Sequence, residues 1–140
     1  MSTADSNTPH FVHRIYPRWG DMDAYGHVNN AAFFVYLEEC RVRWLHGLDA
    51  LWDRSDVGPV IASIEINYLQ QLNWPSALRN ELLVEKIHTS SMHISHRVVA
   101  DQDPECVFAR ARVVLVWIDR LSGRPTPVPA QFKVIAATPR

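Results

Sequence analysis

Only one stretch of this chain keeps a helical period long enough to cross a small domain. From about Asn30, the apolar residues Phe33, Leu37, Cys40 and Trp44 recur at steps of four, three and four, which places them in one narrow stripe. Glu38, Glu39, Val42 and His46 fall mostly on the far side. Asn29 or Asn30 can cap the start, because a short amide side chain accepts a first-turn N–H there, and Gly47 suits the left-handed position past the end. A helix of about 16 residues is about 24 Å long, enough to cross a whole sheet.

The remainder reads as strands. Residues 10–16 form a first strand closed by Pro17. Val60, Ala62, Ile64, Ile66 and Tyr68 alternate with Ser63, Glu65 and Asn67, the period of a half-buried strand. Residues 81–88 and 93–100 make a hairpin around Thr89, Ser90 and Ser91. Val107, Ala109, Ala111, Val113, Leu115 and Trp117 give a long strand whose other face carries Arg110 and Arg112. A turn follows at Leu121, Ser122 and Gly123, and residues 131–135 form a short element whose type the pattern leaves open. One long helix followed by antiparallel strands predicts an α+β domain with the sheet wrapped around the helix. Such a sheet leaves two edges, and edge pairing into a dimer is one common answer to that exposure.

With 140 residues and 47% of them hydrophobic, the chain has material for a single core, and we take residues 1–140 as one domain with residues 1–9 as a loose polar arm. Fourteen basic against fifteen acidic residues leave a formal charge of −1, which excludes a basic nucleic-acid footprint. No apolar run approaches the ~18–20 residues that span a bilayer. The first residues lack the basic and apolar regions of a secretory signal. Two cysteines, Cys40 and Cys106, build no disulfide framework and fit a reducing compartment, so the expected location is cytoplasmic.

No G-x-S-x-G elbow, Walker loop, G-x-G-x-x-G or H-E-x-x-H is present. His93 and His96 stand three apart on a strand and point to opposite faces, and His10 and His13 share that defect, so no metal site is expected. Cys40 lies in the apolar stripe, where it reads as a small buried hydrophobe. The dense segment is 18–30, RWGDMDAYGHVNN, which packs two carboxylates, two glycines, a histidine and two asparagines into the loop before the helix. First-turn N–H groups lack internal partners and attract negative charge. A carboxylate beside them can attack a carbonyl or activate water while they hold the developing oxyanion. On composition alone, Asp21 and Asp23 serve equally well as turn residues and the asparagines as caps.

Residues 21–30, DMDAYGHVNN, continuing into Tyr36, Leu37, Glu38, Glu39, Cys40 and Arg41, resemble the signature of hotdog-fold acyl-CoA thioesterases of the 4-hydroxybenzoyl-CoA thioesterase-like family. Residues 64–68 resemble the strand after the helix in that family, and 107–119 with Pro127, Val128 and Pro129 resemble its final strand and tail. The resemblance implies a hotdog fold, an antiparallel sheet wrapped around one long central helix. It implies a homodimer or homotetramer with sites at subunit interfaces, no cofactor, and hydrolysis of an acyl-CoA thioester to the free acid and CoA. It puts the catalytic carboxylate at Asp23 and the carbonyl-polarising N–H at Asn30. Gly26 would allow close approach of the acyl group.

Beside this frame, Asp21 competes for the catalytic role but reads rather as a loop-orienting residue; Tyr25, His27 and Phe33 are candidate substrate contacts, with plain packing as the alternative for Tyr25 and a hydrogen bond to the loop for His27. Phe33, Phe34 and Leu37 are candidates to line an acyl tunnel or simply to fill the core. Family members often carry Lys or Arg around residues 88–90, where coenzyme A phosphates bind. Here the stretch is His88, Thr89 and Ser90, so an acyl carrier protein thioester stays open as substrate, with Arg110, Arg112 and Arg124 as alternative phosphate partners. The competing readings are a hotdog hydratase or dehydratase, which would need a different His and acidic pair on the helix, and a non-catalytic acyl-thioester-binding module.

Overall fold

A computed structural model of the chain describes residues 8–50 and 56–137, so most of the polar arm lies outside the described residues. Strands β1 (Phe11–Ile15), β2 (Val57–Tyr68), β3 (Leu78–Ile87), β4 (Ser91–Ala100) and β5 (Asp103–Asp119) form one antiparallel sheet in the order β1-β3-β4-β5-β2. Helix α1 (Asn30–Gly47) packs across one face, and α2 (Ala130–Ala137) settles the type of the element near 131–135. This is the expected α+β hotdog architecture, with the sheet wrapped around α1.

Helix α1 begins where Asn29, in extended conformation, accepts the Ala31 N–H on its side-chain oxygen at 3.0 Å. The stripe Phe33, Leu37, Cys40 and Trp44 is buried, widened by Tyr36, Arg41 and Leu45. The end differs from expectation: Gly47 is the last helical residue, and Asp49 takes the positive φ of 54°. Leu48 packs on the core and carries the helix through the glycine, and Asp is among the few other residues that tolerate the left-handed region.

The core falls into two clusters along α1. Around its C-terminal half, Cys40, Trp44 and Leu45 meet Leu82, Met92, Ile94, Val113, Leu115, Trp117 and Phe132. Around its N-terminal half, Phe33, Tyr36 and Leu37 meet Ile15, Val28, Leu72, Leu78, Val98, Ala109 and Ala111. The long strand therefore alternates as expected, and its two alanines leave room for the aromatic rings of the first turns.

Strand β2 breaks the simple alternation. Its register against β5 shifts between Ile61 and Ser63, so Ile61 pairs with Leu115 and Ile64 with Val113, both of them core residues. Val60 instead pairs with Val116 and faces away from α1 with it, because the extra residue of a bulge flips every side chain on one side of it. The strand is also an edge, and Val60 and Ile61 are 38% and 43% exposed.

Candidate active site

The loop before α1 folds as a miniature hairpin. Met22 bridges to Val28, the Asp23 N–H donates to the His27 carbonyl at 2.8 Å, and the Gly26 N–H donates to the Asp23 carbonyl at 3.2 Å. Gly26 closes the turn at φ +81°, where any other residue would be strained. Two further bonds fix the hairpin: Val28 N–H to Leu72 O and Asn29 N–H to Asp21 O, each 2.8 Å.

The two carboxylates of this loop are treated differently. Asp21 is saturated: Oδ2 accepts from the Arg18 N–H at 3.0 Å and the Tyr36 hydroxyl at 2.7 Å, and Oδ1 from the Arg18 guanidinium at 3.1 and 3.3 Å. Burial pushes its pKa up, but the hydrogen bonds from Tyr36 and Arg18 outweigh burial and hold it below the ordinary carboxylate value. Burial and the Asp21 carboxylate in turn raise the Tyr36 hydroxyl. Asp23 takes both of its hydrogen bonds on Oδ1, from the N–H groups of Tyr25 (2.9 Å) and His27 (3.4 Å). Its second oxygen stands outside these bonds.

Asp23 borders a cavity of about 580 Å³ shared with Asn30, Tyr25, His27, Val28, Phe33, Tyr68 and the segment 69–72. Asn30 is the first residue of α1, so its N–H has no partner within the helix, while the next one is capped by Asn29. Phe33 is 3% exposed and meets the Tyr68 ring edge-on at 5.2 Å. Tyr25, 86% exposed, stands at the rim. The cavity thus brings together the Asp23 residue, the N-terminal residue of α1 and an aromatic wall.

Five of the six residues singled out from the sequence, Asp23, Asn30, Tyr25, His27 and Phe33, border this one space. Gly26 is not on its wall; it sits at the hairpin tip, and a Cβ there meets nothing within 4 Å. Phe34 is exposed and Leu37 belongs to the core. Sequence reasoning missed the opposite wall. Tyr68 donates its hydroxyl to the Asn30 carbonyl at 2.8 Å, and Leu69 and Gln70 hang by their N–H groups on the Phe108 carbonyl. Tyr68 ends the inward-facing half of β2, but nothing local in the sequence says that it meets the helix start 38 residues earlier.

A second hollow, about 930 Å³, lies on the sheet face away from α1, floored by Glu65, Asn67, Glu85, Lys86, His93, Ser95, Arg97, Arg110 and Arg112. The structure therefore does not bring Arg110 or Arg112 to the Asp23 cavity. His93 and His96 do point to opposite faces, with His96 1% exposed on the α1 side. Cys40 is buried, and burial pushes its thiol up to about 12 against the pull of Arg41. No helix among the described residues is long and apolar enough to cross a membrane.

The chain is 35% identical to the PA2801 protein of Pseudomonas aeruginosa over 93% of its own length and 100% of that chain, with a TM-score of 0.88. A thioesterase of Thermus thermophilus, complexed with coenzyme A and zinc, is 28% identical over 95% and 99% of the two chains, with a TM-score of 0.79. The uncharacterized protein YsmA of Bacillus subtilis strain 168 is 28% identical over 114 residues, 81% of this chain and 76% of that one. These likenesses support thioester hydrolysis as the general activity. A family model described as the thioesterase-like superfamily matches residues 17–135, and with the sheet-wrapped helix already in view this chain belongs to that superfamily.

Proposed function

We propose that the protein hydrolyses an acyl-CoA thioester to the free acid and coenzyme A. The observation that carries this reading is that Asp23 and Asn30 line one cavity, Asp23 with one carboxylate oxygen outside the local turn and Asn30 as the first residue of α1. The coenzyme A held by the Thermus thermophilus thioesterase supports the choice of thiol.

Two routes fit this pair. In one, the Asp23 carboxylate attacks the thioester carbonyl carbon, the C–S bond breaks, and water hydrolyses the resulting mixed anhydride. In the other, Asp23 takes a proton from water as that water attacks. Both place negative charge on the carbonyl oxygen, where the Asn30 N–H and the helix dipole stabilise it. One such donor contributes roughly 3–4 kcal/mol to the transition state. The thiolate leaves without a strong general acid. Tyr25, His27 and Phe33 contact the acyl portion, and Gly26 serves the loop through its backbone conformation. The working unit in this proposal is a cytoplasmic homodimer or homotetramer, since pairing would cover the exposed apolar edge of β2.

The test is a panel of acyl-CoAs and acyl carrier protein thioesters with a thiol-trapping dye, run on the wild type beside Asp23→Asn. Thiol release by the wild type and its loss in a folded variant are expected. Near-wild-type turnover by Asp23→Asn discards the assignment. Hydration without thiol release replaces it with a hydratase, and saturable binding without turnover replaces it with a binding module.

A further inference from the structure

We propose that Tyr36 is a positioning residue for thioester cleavage: through Asp21, its hydroxyl sets where the Asp23 loop stands relative to the N-terminus of α1. The proposal rests on Asp23 and the Asn30 N–H being the reacting pair.

Asp21 is tied to α1 at two heights. Its main-chain carbonyl accepts the Asn29 N–H at 2.8 Å, just before the helix, and its carboxylate accepts the Tyr36 hydroxyl at 2.7 Å. Asn30 and Tyr36 are six residues apart, about 9 Å along the axis at the rise of an α-helix. A single attachment would let the segment pivot; two fix its direction. Arg18 fills the remaining acceptor sites of the carboxylate, so Asp21 has no capacity left for a substrate. Asp23 follows two residues later in a hairpin closed by the Met22–Val28 bridge and the bond from Asp23 N–H to His27 O, so the position of Asp21 is passed on to Asp23.

Tyr36 is itself held from behind. Its ring lies 5.8 Å from that of Phe33. Its main-chain carbonyl accepts the Asn80 side-chain amide at 3.1 Å, and the Asn80 oxygen pairs with His96 Nδ1 at 2.9 Å. Tyr36, Asn80 and His96 are all buried, so a chain of bonds runs from the sheet interior to the loop. A misplacement of about 1 Å between reacting groups costs on the order of 10²-fold in rate, which is why a hydroxyl outside the cavity matters to the chemistry.

Tyr36→Phe keeps the ring and removes only the hydroxyl. With hexanoyl-CoA and benzoyl-CoA as probes, kcat is expected to fall about tenfold with KM within about twofold of wild type. Asp21→Ala, which removes the acceptor, should lower kcat at least as far, and adding Tyr36→Phe to it should cost nothing further, because the bond is already gone. Amide exchange at Asp23 and Asn29 should quicken in Tyr36→Phe, a readout independent of turnover. A wild-type kcat, a raised KM at unchanged kcat, a kcat loss matching the loss of folded protein, or unchanged exchange overturns the proposal. If Asp23→Asn retains turnover, the reading of the reacting pair fails instead. If Asp23→Asn is dead and Tyr36→Phe is not, the positioning role alone fails.

Discussion

Two hollows flank the sheet, one on the α1 side at the start of the helix and one on the bare face over β4 and β5. The second is the larger, about 930 against 580 Å³. Two of its charged residues are held by neighbours: Ser95 donates to Glu85 at 2.6 Å, and Arg97 reaches Glu81 at 3.0 Å and the Pro104 carbonyl at 2.8 Å. Among the described residues, it holds no Phe, Tyr or Trp ring and no helix end. The smaller one is lined by Asp23, which keeps an oxygen outside its turn, by the first residue of α1 and by the packed rings of Phe33 and Tyr68. Volume ranks them one way and chemistry the other, and chemistry is the better guide to a reaction.

The contrast is testable at several scales. The largest effect is expected from Asp23→Asn, which should lower kcat by roughly 10²–10⁴-fold in thiol-release kinetics while leaving the melting curve in place. Phe33→Ala removes the floor of the small hollow and should cost about 3–5 kcal/mol in denaturant unfolding; a loss under about 1 kcal/mol would mean that this wall is not packed.

His96 sharpens the distinction from within the partition. Its ring is buried on the α1 side, and burial together with nearby Arg41 pushes its pKa down to about 3. The folded state thus holds His96 neutral while the unfolded chain protonates it at the ordinary value. The stability this gives is complete above about pH 6.5 and is lost as pH falls toward about 3, by up to ~1.4 kcal/mol per pH unit. His96→Leu should flatten that slope in urea titrations at several pH values; an unchanged slope would put the ring in contact with the bare face and its water. The smallest effect belongs to Arg110→Gln with Arg112→Gln, where kcat should stay within about twofold and stability within about 0.5 kcal/mol. A larger loss of turnover would show that the bare face takes part after all.

The sequence made the helix readable because its stripe and its Asn cap are local signals, and the long alternating strand 107–117 for the same reason. What it left open depended on distant partners. Asp21 and Asp23 look alike in sequence, and what separates the saturated carboxylate from the one with an oxygen to spare is the Arg18 side chain and the Tyr36 hydroxyl, the latter 15 residues on. The face of Val60 turned on a bulge whose existence is decided by pairing with β5. The second wall of the cavity, from Tyr68 to Leu72, reaches the loop through the bond from Val28 N–H to Leu72 O, a contact that no periodicity announces.

The division of the core into two clusters has a consequence for change over time. The half of α1 beyond Cys40 is gripped by Trp44, Leu82, Met92, Leu115, Trp117 and Phe132, none of which borders the Asp23 cavity. Phe33, Val28 and Leu72 serve both the near core and the cavity wall, whereas the far cluster serves the fold alone. Substitutions around the Asp23 cavity can therefore accumulate, by selection or by design, while the far end keeps the scaffold standing.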